Sequence, residues 1–153
     1  MSRTPFDTLI EGIAEAFREG DPLVEHKPSE SANVSIIQHQ FRCIALGDFD
    51  GFAETLADDI DFEIVGPVDH PFTGRWRGRE ALREGVARNF SVVEQQRHRI
   101  ESVVAQGDTV VLVLREQGRF RTTGRHYDVC FVQVFTFRDG KAVRIREYIG
   151  PEL

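Results

Sequence analysis

Tyr127-Asp128-Val129-Cys130-Phe131-Val132-Gln133-Val134-Phe135-Thr136-Phe137 is apolar on both of its sides. Successive strand residues point to opposite faces, so Val129, Phe131, Phe135 and Phe137 share one face and Cys130, Val132 and Val134 the other. A strand of this kind has to be covered twice. Turn signals bracket it on either side: Thr122–Gly124 before it, Asp139-Gly140 after it, and Gly107-Asp108 further upstream. They separate runs at about His98–Ala105, Thr109–Glu116 and Lys141–Ile149, which predicts a four-stranded antiparallel meander.

Helical spacing dominates the first half. Phe6, Leu9, Ile10, Ile13, Ala14 and Phe17 recur at one face of an amphipathic helix, with Thr4 as cap, Pro5 in the first turn and Gly20 as stop. A stretch rich in proline, serine and charge runs from Asp21 to Ala32. A second helix is expected at about Asn33–Leu46, a short one through Phe52 and Leu56, and another at Gly78–Phe90. Between them, Ile60–Val65 alternates as a strand before the breaks at Gly66-Pro67 and His70-Pro71.

Helices followed by a long meander define an α+β architecture, a curved antiparallel sheet wrapped as a cone around three helices, with an extra N-terminal helix. The division expected is residues 1–31 for that helix and its connection and 32–153 for the cone-shaped domain. Because the 127–137 strand needs a second cover, a homodimer through the outer sheet face is expected, with Phe131 and Phe135 at the interface, or their neighbours on the face of Cys130 if the parity is reversed.

The last strand holds the main functional clue. In Lys141-Ala142-Val143-Arg144-Ile145-Arg146-Glu147-Tyr148-Ile149, residues Val143, Ile145 and Ile149 mark a buried face and Arg144 and Arg146 a wet one. Glu147 falls on the buried side. A carboxylate there either finds an arginine or keeps its proton with a raised pKa, the property that acid–base chemistry near neutral pH requires. At the opening of the 127–137 strand either His126 or Asp128 is expected to face inward toward Glu147, and Asp128 is the second catalytic candidate. Phe62, Phe72 and Trp76 offer an aromatic lining for a flat or cyclic hydrophobic ligand.

Composition excludes other classes. The 153 residues are 41% hydrophobic and 29% charged, with a net charge of −6. No broad basic surface is available for nucleic acid. No apolar run approaches the roughly 18 residues of a membrane span, and the start reads as an amphipathic helix and not as a signal peptide, so a cytoplasmic protein is expected. Cys43 and Cys130 read as ordinary thiols. Five histidines without paired spacing argue against a metal site, and His70, in the loop before Pro71, is a candidate for the cavity mouth. The Arg-rich segments Arg75-Trp76-Arg77-Gly78-Arg79 and Gln96-Arg97-His98-Arg99 read as solvated faces.

Ala45-Leu46-Gly47-Asp48-Phe49-Asp50-Gly51-Phe52, Leu56–Phe62, Gly74–Ala81, Gly107-Asp108-Thr109-Val110, Thr123-Gly124-Arg125 and Phe137–Lys141, continuing to Arg146-Glu147-Tyr148, together resemble the ketosteroid isomerases and their SnoaL-like relatives in the nuclear transport factor 2-like superfamily. The likeness spans about residues 33–150. It implies a cone-shaped α+β barrel with a hydrophobic cavity, no cofactor and usually a dimer. By the same resemblance Ile64 stands at the isomerase base, Gln40 at its tyrosine and Cys130 at its second acid, so that constellation is absent; a one-residue slip would bring Gln133 or Asp128 inward instead. A glutamate matching Glu147 is a candidate acid–base in SnoaL-like proteins. The expected ligand-binding set is Phe62, Ile64, Phe72, Trp76, Cys130 and Gln133. Two readings follow: a cofactor-free isomerase, cyclase or lyase using Glu147, or a module that binds a hydrophobic ligand or a protein partner without chemistry. A polar group such as Gln133 or Tyr127 beside Glu147 favours the first; a salt-bridged Glu147 in a dry cavity favours the second.

Overall fold

A computed structural model describes residues 5–19 and 25–153. The elements in chain order are α1 (Pro5–Arg18), α2 (Pro28–Ala45), α3 (Phe49–Glu54), β1 (Leu56–Val65), β2 (Gly74–Arg77), α4 (Arg79–Ser91), β3 (Val93–Gln106), β4 (Thr109–Phe120), β5 (His126–Arg138) and β6 (Lys141–Glu152). The strands form one curved, open sheet in the order β2-β1-β6-β5-β4-β3. The expected α+β fold and its N-terminal helix are present; Thr4 and Gly20, read as cap and stop of that helix, lie outside the described residues.

Several boundaries differ from the sequence reading, each for a local reason. Leu56 opens β1 and is not in the short helix, which ends at Glu54. The four-residue β2 stands where the sequence suggests a loop; its Gly-Arg-Trp-Arg sequence has one apolar side chain, yet it pairs antiparallel with β1, Phe62 opposite Trp76. β1 and β6 pair in parallel, with Phe62 level with Ile145 and Ile64 level with Glu147. This departs from an all-antiparallel sheet: β1 occupies the edge that β6 would otherwise leave unpaired, a long-range pairing that turn signals cannot reveal. β3 begins five residues before His98, and two register shifts within it, near Glu94/Arg97 and Ile100/Ser102, break the alternation that marks a strand. α2 starts at Pro28, inside the stretch expected to be a connection. Pro28 suits a first helical turn, and the Glu30 carboxylate accepts from the Lys27 backbone N–H at 2.7 Å and from the Gly107 N–H at 2.8 Å, fastening the helix start to the β3–β4 turn.

The helices cover one face of the sheet. Ile37 and Phe41 of α2 and Leu82 and Val86 of α4 are buried, together with Val110, Leu112 and Leu114 of β4 and Phe131 and Phe135 of β5. Thus Phe131 and Phe135 line the interior, and Cys130, Val132 and Val134 take the outer face, half-buried. The parity expected for the dimer surface is reversed. The reason is size: the larger phenylalanine rings remove more apolar area from water and take the interior, leaving valines outside. Arg146, assigned to the wet face, is nonetheless buried; its guanidinium donates to the Asp61 carboxylate and carbonyl at 2.8 and 3.0 Å.

Candidate active site

Glu147 lies on the inner face of β6, level with Gln133 of β5 on one side and Ile64 of β1 on the other. The Gln133 side-chain amide donates to Glu147 Oε2 at 2.8 Å. No arginine or lysine among the described residues forms an ion pair with it. Burial pushes the Glu147 carboxyl up to about 7, the Gln133 hydrogen bond opposes that rise, and the negative charge of Glu116 adds to it. Near neutral pH such a group holds its proton about half of the time and can give or take one.

The carboxyl opens on a cavity between helices and sheet. Phe41, Ile44, Phe52, Val86 and Phe90 wall it from the helices, and Phe62, Ile64, Phe131 and Phe135 from the sheet. The apolar lining with a few polar groups suits a small hydrophobic molecule. Phe62, Ile64, Phe72, Gln133 and Glu147, all singled out from the sequence, meet at this cavity, as does Gln40, whose amide donates to Thr55 Oγ1 at 2.9 Å.

Three of the expected residues are placed elsewhere. Trp76 stands behind the wall, its ring 5.6 Å from that of Phe62 and pressed against Gly85, where a Cβ would come within 2.3 Å of the indole nitrogen. Cys130 is on the outer face of β5 and does not line the cavity, a consequence of the reversed parity. Asp128 shares that outer face: Arg115 grips it through two bonds of 2.7 and 2.5 Å, Gln117 adds a third at 2.9 Å, and the Arg115 guanidinium holds its carboxyl down at about 2. It is a structural ion-pair partner and does not face Glu147. His70 is likewise engaged in its own loop, its Nδ1 accepting from the Phe72 N–H at 3.2 Å; burial lowers its pKa.

A second polar group of the same cavity was not singled out from the sequence. Glu116 of β4 is buried, and its carboxylate accepts from His98 Nε2 at 2.5 Å, the Tyr127 hydroxyl at 2.7 Å and the Gln96 amide at 3.3 Å. Gln96, His98 and Glu116 line the cavity along with Glu147. Burial, then the adjoining Glu116, pushes the Tyr127 hydroxyl far up, so Tyr127 remains a donor. A signal existed: Glu116 continues the buried alternation Val110, Leu112, Leu114, as Glu147 continues Ile145. Among the described residues no group of three or more His, Cys, Asp or Glu side chains is placed to hold a metal ion, and no helix is long and apolar enough to cross a membrane.

Comparison with known proteins bears on fold and family. The model of the SnoaL-like domain matches residues 37–145. Among solved structures, an NTF2-like protein from Burkholderia xenovorans LB400 is 32% identical, with a TM-score of 0.73 over 81% of this chain and 93% of that one. A proposed SnoaL-like polyketide cyclase from Jannaschia sp. CCS1 is 23% identical, with a TM-score of 0.70 over 82% of this chain and 90% of that one. A proposed isomerase from Rhodopseudomonas palustris is also 23% identical, with a TM-score of 0.67 over 83% and 91%. No curated protein matches the chain significantly. α1 and the start of α2 lie before the matched span. A chain whose residues 37–145 fit that domain, in a sheet and helix arrangement shared with these structures, belongs to the SnoaL-like domain family of the nuclear transport factor 2-like superfamily.

Proposed function

We propose that the protein is a small-molecule isomerase, cyclase or lyase that works without a cofactor, with Glu147 moving a proton between carbon and oxygen positions of a hydrophobic, cyclic carbonyl substrate. The observation that carries this reading is the state of Glu147. It is a carboxyl on the cavity wall that burial raises to about 7 and that has an amide, and no cation among the described residues, as its partner. A base tuned near the working pH combines a useful fraction of the ionised form with adequate proton affinity. Gln133 suits both protonation states, since its NH₂ donates to the carboxylate and its oxygen accepts from the acid after an amide flip. The apolar walls carry the ring system of the substrate and exclude water from the reacting atoms. The alternative of a purely binding module accounts for the cavity but leaves the tuning of Glu147 without a role.

Deuterium wash-in tests this. Incubated in D₂O with 2-tetralone, a flat two-ring ketone with acidic α-hydrogens, the protein should speed α-exchange as read by proton magnetic resonance. Glu147→Gln should slow that exchange roughly a hundredfold while leaving ketone binding nearly intact, as loss of a general base does. Equal exchange by both proteins would refute the proton-transfer role of Glu147. As assembly, we propose a homodimer through the outer sheet face.

A further inference from the structure

On the same sheet wall as Glu147, the hydrogen bonds of Glu116 orient the His98 ring. A carboxylate only accepts, and Tyr127 and Gln96 bring donors to the Glu116 oxygens. The third partner, His98 Nε2 at 2.5 Å, therefore carries its hydrogen toward Glu116. In the neutral ring this leaves Nδ1 as a bare lone pair. His98 is 7% exposed, and its Nδ1 has no hydrogen-bond partner among the described residues. The Phe6 ring of α1 lies over the imidazole, centroids 5.1 Å apart, and the ring borders the cavity beside Gln96, Leu114 and Glu116. A buried acceptor without a donor is unfavourable until something supplies one. Side-chain adjustment of the usual extent on ligand entry brings a donor within its reach.

We propose that His98 Nδ1 is a second recognition point of the cavity, accepting a hydrogen bond from a hydroxyl at the end of the ligand remote from Glu147, with Glu116 as the positioning residue that fixes the tautomer. The strand register supports two separate stations. Glu147 is level with Gln133 of β5, whereas Glu116 is level with Val129, four residues along the same strand, or roughly 13 Å at about 3.3 Å per residue. Phe131 and Leu114 fill the inner face between them and are paired across β4 and β5. The ligand class that fits is a hydroxylated cyclic ketone: carbonyl end at Glu147, apolar ring on Phe131 and Leu114, hydroxyl at His98. The inference rests on the cavity being the ligand site, as in the proposed function.

The test compares 2-tetralone with its 6- and 7-hydroxy derivatives, binding being followed by calorimetry. The wild-type protein should bind at least one hydroxy derivative about tenfold more tightly than the parent ketone. His98→Gln places an amide donor where Nε2 stood, keeps the bond to Glu116 and removes Nδ1; it should retain fold and parent binding but lose the hydroxyl preference. Glu147→Gln should keep that preference while losing α-exchange, so the two readings fail independently. In the wild-type protein, nitrogen-15 spectra of His98 should show the Nε2–H tautomer, with the Nδ1 resonance shifted by the hydroxy ketone only. No preference in the wild type, a preference that survives His98→Gln, an Nδ1–H tautomer or no binding of any of these ketones would each overturn the proposal.

Discussion

A carboxyl kept neutral by burial leaves its mark on stability as well as on reactivity. In the unfolded chain Glu147 ionises near 4.5, and in the folded protein at about 7. Between those values the unfolded state binds fewer protons, so stability falls as pH rises through the window and levels off above it. Glu147→Gln does not titrate. It should match the parent below pH 4.5 and exceed it above pH 7 by on the order of 3–4 kcal/mol, because each pH unit between the two midpoints is worth about 1.4 kcal/mol. Urea titrations at pH 4 and pH 8 provide the measurement, and a pH-independent difference would contradict the buried titration. Gln133→Leu removes the hydrogen bond that favours the ionised form, so the Glu147 midpoint should move above 7, as carbon-13 titration of the carboxyl would show. How far these residues were legible depended on alternation. Glu147 stood out because Ile145 and Ile149 flank it on an otherwise one-sided strand, whereas Glu116 was the last residue of the run expected at Thr109–Glu116, although its strand continues to Phe120. Asp128 and Cys130 were misplaced because β5 is apolar on both faces, and alternation alone cannot say which face is inside.

At the scale of elements, the meander and the main helices were readable because each carries a single period between Gly or Asp-Gly turns. β2, the early part of β3 and the parallel β1–β6 pairing were not: they depend on bulges and on partners distant in sequence. The amphipathic helix α1 proves to be part of the core, packed behind residues that line the cavity. Phe6, Leu9, Ile10 and Ile13 are buried, and the Phe6 ring meets Phe90 at 5.3 Å and Phe41 at 6.3 Å besides His98. Each such side chain contributes about 1.5–3 kcal/mol on burial, so together they rival the net stability of about 5–15 kcal/mol typical of a domain. A chain beginning at Pro28 should therefore have a much lower denaturation midpoint and bind a hydrophobic dye at its uncovered β3 and Phe90. Phe6→Ala alone should lose about 3–5 kcal/mol. A midpoint unchanged by the truncation, measured in urea, would show α1 to be an appendage.

For the whole molecule, the sheet has one face filled by helices and one that is not. On the outer side Val104 is level with Val111, Val111 with Val134, Val113 with Val132 and Val132 with Tyr148, so one apolar patch runs across four strands. Val104 is 56% and Tyr148 45% exposed. An apolar patch of this extent on a monomer favours association, and a twofold dimer can set the patch against its own copy, each partner covering the roughly 800 Å² that a stable interface needs. The protein should then scatter light at micromolar concentration as twice its chain mass of 17.4 kDa. The inward and outward faces of β5 supply a paired control. Val132→Glu puts a charge on the outer patch and should give a folded monomer with an unaltered far-ultraviolet spectrum, because the charge remains in water once the partner leaves. Phe135→Glu puts the same charge beside the cavity, 3% exposed, and should unfold the chain, since an unpaired carboxylate in the core costs several kcal/mol. Dimeric mass retained by Val132→Glu, or a parent that is monomeric at these concentrations, would refute assembly through this face.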